Sequence, residues 1–183
     1  MEIYSKIFSL FPDIKGVLDA AENRFKEERI KLNVENLFSL EGLKSFKEIP
    51  DYLNTLETYR KQLILERSFY ETWHENLVKR INELFDSSEE HSRIEFWNTA
   101  LPKINKNQEI RIQINTAKFN AVSALISVYL LINNNQVAIE ISSQGIVFND
   151  LSLLSEFESL VKLVDSNLEL QYDLAIQQRE ASA

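Results

Sequence analysis

The sequence predicts an α+β fold: an N-terminal helical bundle with one long helix, followed by a small antiparallel sheet with a covering helix. Three observations predict it. Pro50 to Phe85 carries one uninterrupted helical pattern, the apolar period changes to two from Glu109, and the polar stretch Lys103–Gln108 lies between them as a hinge. The expected organisation is a helical region over 1–102, an antiparallel sheet plus one helix over 109–176, and a disordered tail over 177–183.

The first element is Met1–Phe11, with Ile3, Tyr4, Ile7, Phe8 and Phe11 at helical spacing. Pro12 should end it, because the residue before proline avoids the helical region. Asp13 is placed to cap a second helix to about Leu32, with Ile14, Val17, Leu18, Ala21 and Phe25 on one face. Asn33–Phe38 reads as a connector, and Ser39 as the cap of a short helix over Leu40–Lys47.

The long helix starts at Pro50, where a missing N–H costs nothing, and Asp51 suits the positive end of its dipole. No Gly or Pro interrupts Asp51 to Leu101. Tyr52, Leu56, Tyr59, Leu63, Glu66, Tyr70, Trp73, Leu77, Arg80 and Leu84 alternate in steps of four and three, a heptad-like seam. At 1.5 Å per residue this helix would run roughly 54 Å, longer than the ~40 Å expected across a compact chain of this size. An overhang would leave its aromatic residues in need of a partner.

Ser87 and Glu90 fit a capping box for a helix to about Ala100, stopped by Pro102. Ile110, Ile112 and Ile114 alternate with polar residues as a half-buried strand. Ala121–Ile132 fits helix or strand, and its β-branched content with Asn133–Asn135 favours a strand from Leu125. Gln136–Ser142 pairs back as a hairpin, and a turn at Gly145 leads into Ile146–Phe148. Asn149 or Asp150 caps a helix through about Val164. Leu168, Leu170, Tyr172, Leu174 and Ile176 then read as a last strand.

Composition excludes several chemistries. Cysteine is absent, which removes disulfides, thiolate metal sites and cysteine nucleophiles. Three scattered glycines cannot form a phosphate-cradling loop. No apolar run reaches membrane-spanning length: Ala121–Ile132 is twelve residues and is broken by Ser123 and Ser127. The start, with Glu2, does not read as a secretory signal, so the expected location is cytoplasmic. Abundant Asn, Lys, Ile and Glu suggest a bacterial or phage coding sequence. The net charge is −8; the first 108 residues carry 16 basic and 19 acidic side chains, the remainder 4 and 9. Direct nucleic-acid binding by the acidic second part is therefore not expected.

Candidate chemistry is sparse. Glu71 and His74 make half of a carboxylate-bridged metal pattern, but His91 has Ser88 where the second carboxylate should be, so no metal ligands are expected. Glu140 lacks the lysine two residues on that a magnesium nuclease strand requires. No Gly-x-Ser-x-Gly elbow accompanies either histidine. No catalytic residue, cofactor or metal is assigned. The expected function is a non-enzymatic protein-interaction module of adaptor, secretion-chaperone, immunity or anti-defence type. Its partner is another protein or a second copy, with Tyr59, Tyr70, Trp73 and Leu77 as contact residues. The alternative is a subunit of a nucleic-acid-processing system of restriction or defence type, using Arg24, Lys26, Arg29 and Lys31 on phosphates.

Overall fold

The computed structural model describes residues 2–85, 90–142 and 145–182; for 2–11, 41, 92, 181 and 182 it describes the backbone alone. The chain is 86% helical. The elements are α1 (Glu2–Leu32), α2 (Ile49–Leu84), α3 (Glu90–Thr99), α4 (Leu101–Asn134), β1 (Ile139–Ser142), β2 (Gly145–Phe148) and α5 (Leu151–Ser182). Among the described residues the sheet is one two-stranded antiparallel hairpin, registered from Ile139 opposite Phe148 to Ser142 opposite Gly145.

The long helix forms where the seam placed it. Leu56, Tyr59, Leu63, Glu66, Tyr70 and Leu77 are buried along α2, and Pro50 occupies its first turn. At the far end Arg80 is exposed and Ile81 is buried instead. A straight helix drifts by about 20° per heptad against a 3.5-residue repeat, so four heptads shift the buried stripe by nearly one residue. α2 is not an isolated overhang, because α1, α4 and α5 have 31, 34 and 32 residues against its 36.

Elsewhere the structure corrects the expected elements. α1 passes through Pro12 without stopping, giving up only the ladder bond to the Phe8 carbonyl. The short helix over 40–47 is two single 3-10 turns, Leu40–Gly42 and Phe46–Glu48. Pro102 opens α4 from its first turn rather than closing α3, and Lys103–Gln108 is helical. The Ser87–Glu90 capping box lies mostly outside the described residues.

The larger corrections are the strands. Ile110–Ile114 and Ala121–Ile132 both belong to α4. From Ala121 to Ile132 nine of the twelve residues are buried against α5, α2 and the hairpin, and only a narrow stripe of Ser123, Ser127 and Leu130 faces outward, so the segment shows little amphipathic period. Its β-branched residues were then the strongest local signal, and tertiary packing overrode it. Leu168–Ile176 and the tail beyond it continue α5 to Ser182, with Ala183 outside the described residues. Asp165, Ser166 and Asn167 lie within α5: the Ser166 hydroxyl and Asn167 amide donate back to the Leu163 carbonyl at 3.1 and 2.8 Å, satisfied within the helix. Asp150 caps α5, its Oδ1 accepting the Ser152 N–H at 2.7 Å.

Consecutive long helices run antiparallel. Between α2 and α4, Tyr52 meets Tyr129 at 5.6 Å between ring centroids. The Asn115 amide donates to the Leu63 carbonyl at 3.0 Å, and Gln108 to the Tyr70 carbonyl at 2.8 Å. These buried amides fix the sliding register, since a one-turn slip would strand each donor. The main core joins α2, α4, α5, the hairpin and the α1–α2 connection. A smaller cluster of Ile14, Leu77, Ile81 and Phe96 ties α3 to the far end of α2. By length and composition alone one helix within Arg93–Asn134 is apolar enough to cross a bilayer, contrary to the sequence expectation. Half of that apolar segment is buried within the chain, and a core helix meets the same criterion.

Candidate functional site

The four predicted contact residues lie on one side of α2, facing inward to different degrees. Tyr59, Tyr70 and Leu77 are 6%, 5% and 4% exposed, so each is engaged mainly by the chain's own helices. Trp73 is half-buried. They do not converge on one patch. Trp73 and Leu77 line an apolar groove between α1 and α2, while Tyr70 and Tyr59 line two adjoining polar cavities further along α2.

The groove has a volume of about 290 Å³, and its walls are Ile14 and Val17 from α1 and Phe69, Trp73 and Leu77 from α2. The Trp73 indole N–H donates to the Ile14 carbonyl at 3.2 Å, which fixes the ring against α1. Val17 stands 57% exposed at the rim. Arg80, at one end, is the only charged residue on the lining among the described residues. Among the described residues it has no carboxylate partner.

The larger polar cavity, about 260 Å³, is bounded by α1, α2, α4 and Gln178 of α5. Its second neighbour, about 220 Å³, shares Arg29 and Lys118 as a common wall and adds Glu35 and Tyr59. Glu66 is buried here despite its charge; it accepts the Tyr70 hydroxyl at 3.0 Å and lies 3.7 Å from the Lys118 ammonium. Burial lowers the Lys118 pKa, and Glu66 opposes that shift. Burial raises the Tyr70 pKa, and the Glu66 charge adds to the rise. Tyr59 is raised by burial too, against the pull of the Arg29 guanidinium. Arg111 lies 3.3 Å from Glu22 and over the Tyr70 ring at 5.3 Å.

The other candidates separate. Glu71 pairs with Arg67 at 2.9 Å, whereas His74 bonds Asn105 at 3.0 Å, so the two do not meet at a common point. Among the described residues no group of three or more His, Asp or Glu side chains converges as metal ligands would. Glu140 is exposed on β1. Of the basic residues of α1, Arg24, Lys26 and Lys31 are exposed and Arg29 is half-buried; Arg24 lies 4.0 Å from Glu28, and Lys26 and Arg29 line the polar cavity.

Arg29, Arg111 and Lys118 were not grouped by sequence reasoning. Arg111 falls in the strand expected over Ile110–Ile114 and Lys118 just beyond it, and the seven-residue spacing that puts them on one helical face is hidden by that reading. The available signal was Glu66, a carboxylate in an apolar seam that demands a cation from a facing helix. No protein-family model, curated protein or solved structure matches the chain.

Proposed function

We propose that this protein is a binding module that docks an apolar, acid-flanked segment of another protein in the α1–α2 groove. The supporting observation is the groove itself: a fixed tryptophan, an apolar floor, and one cation without a carboxylate partner among the described residues. A half-buried aromatic held in one orientation loses little entropy on binding, and such residues dominate interface energetics. Arg80 selects an Asp, a Glu or a terminal carboxylate at the segment's end. Of the four contact residues expected from sequence, Trp73 and Leu77 are retained in this reading. Tyr59 and Tyr70 serve the polar cavities instead.

The test is selection of displayed peptides on the intact protein, with counter-selection on Val17→Asp. Val17 is exposed, so this change reaches the groove without disturbing the core. The proposal expects peptides with apolar residues at helical spacing next to an acidic one, lost on Val17→Asp and weakened on Arg80→Glu. Peptides that bind both variants as well as the parent refute it. A concentration-dependent dimer abolished by Val17→Asp would instead make the occupant a second copy of the chain.

A further inference from the structure

We infer that the polar cavity between α1, α2 and α4 is a binding site for a small oxyanion, a carboxylate or phosphate group on a compact molecule. This is independent of the groove. In a chain of net charge −8, the lining of this cavity carries, among the described residues, Lys26, Arg29, Arg111 and Lys118 against Glu22 and Glu66. Both carboxylates are already engaged, Glu22 with Arg111 and Glu66 with Lys118. Even with Glu35 of the adjoining cavity included, cations outnumber anions by four to three.

Lys26 is exposed, and the inward positive charge is that of Arg29, Arg111 and Lys118. Arg29 is half-buried, and its Nε is enclosed with no hydrogen-bond acceptor among the described residues. The Nε of Arg111 is also enclosed, but it is ion-paired with the Glu22 carboxylate 3.3 Å away. A purely structural ion network matches cation to anion and satisfies its buried donors. Here the Arg29 guanidinium keeps an unspent N–H, and guanidinium forks suit the paired oxygens of carboxylate and phosphate. Lys118 stands on the wall shared by both cavities and supplies a third positive group. A cavity of about 260 Å³ is below the usual range for drug-sized ligands, roughly 300–1,000 Å³, which confines the occupant to a few non-hydrogen atoms beyond the anion.

The experiment follows the arginine Nε–H resonances of the full chain during titration with sodium phosphate and, separately, disodium succinate, with sodium chloride matching ionic strength. The expected result is saturable shifts of Arg29 and Arg111, with a Kd of about 1 mM or tighter, for at least one anion and not for chloride. Arg60 and Arg179 stay put. Lys118→Met weakens the affinity at least tenfold, and Lys162→Met leaves it unchanged. Saturation by phosphate alone identifies a phosphate-bearing ligand, and saturation by succinate alone a carboxylate. Non-saturating shifts spread evenly over all arginines, or equal shifts with chloride, overturn the inference. The titration of the unaltered protein decides the question even if Lys118→Met does not fold.

Discussion

Glu66 and Lys118, on antiparallel helices α2 and α4, hold their charged ends 3.7 Å apart with side chains only 11% and 14% exposed. Such a pair adds little net stability compared with an apolar pair, yet removing one partner strands the other's charge. Lys118→Met alone should therefore cost about 3 kcal/mol or more. The double change Glu66→Gln, Lys118→Met should recover at least half of that, since the amide still accepts the Tyr70 hydroxyl. Urea unfolding of the parent and the two variants measures both numbers. Equal losses in the single and double variants would show that the pair is not coupled.

Alkaline pH should act through the buried tyrosines. Tyr59, Tyr70 and Tyr129 all have folded-state pKa values raised above the usual ~10, chiefly by burial. A raised pKa means that the folded state holds its proton longer. The associated stability is complete below pH about 10 and is lost as pH climbs above it. Lys118, with a lowered pKa, works in the opposite sense just below the ordinary lysine value. Tyr129 donates its hydroxyl to the Leu37 carbonyl at 2.9 Å. Tyr129→Phe should cost about 1 kcal/mol at pH 8, and flatten the fall in stability above pH 10 by up to about 1.4 kcal/mol per pH unit. Unfolding midpoints from pH 8 to 11 read both effects.

The helical reading of α5 makes a sharp distinction among leucines. As a strand, Leu168, Leu170, Tyr172 and Leu174 would share one buried face. In the helix, Leu170 and Tyr172 are 48% and 68% exposed while Leu174 is 6% exposed. Leu170→Lys and Tyr172→Lys should each change stability by less than about 0.5 kcal/mol, and Leu174→Ala should cost about 2–4 kcal/mol. Comparable losses at all three positions would restore the strand.

That contrast also shows why part of the fold was legible and part was not. α2 was read from its seam because its inward positions are mostly apolar and its outward ones are polar. The inward positions of α5 follow the same steps of three and four: Phe157, Leu160, Val164, Asn167, Gln171, Leu174 and Gln178 are all buried or half-buried. Three of them are amides, so a search for apolar residues broke off at Val164. α4 failed for the opposite reason, since over Ala121–Ile132 it is apolar on all sides but a narrow stripe at Ser123 and Ser127. The β1–β2 hairpin was legible at Ile146–Phe148 and in the second half of the strand expected over Gln136–Ser142, which begins only at Ile139, but not in the helical neighbour assigned to it. For the candidate sites, Trp73 and Leu77 were visible as large apolar residues. The cationic cavity needs three helices at once, and no single stretch of sequence displays it.

Glycine substitutions separate backbone need from packing. Gly145 has φ +122°, a conformation that side-chain-bearing residues rarely adopt, whereas Gly16 lies within α1 with open space around it. Gly16→Ala should stabilise the protein by up to about 1 kcal/mol, and Gly145→Ala should destabilise it by about 1 kcal/mol or more. Thermal unfolding of the two single variants checks the opposite signs.

The most direct measurement of the binding account is the Trp73 indole N–H resonance during titration with a peptide selected on the groove. That N–H donates to the Ile14 carbonyl across the groove wall, so an occupant between α1 and α2 must perturb it. The account predicts a saturable shift of Trp73 together with the Val17 methyls, abolished in Val17→Asp. A peptide that binds while both signals stay still, with shifts confined to α5 instead, would contradict it.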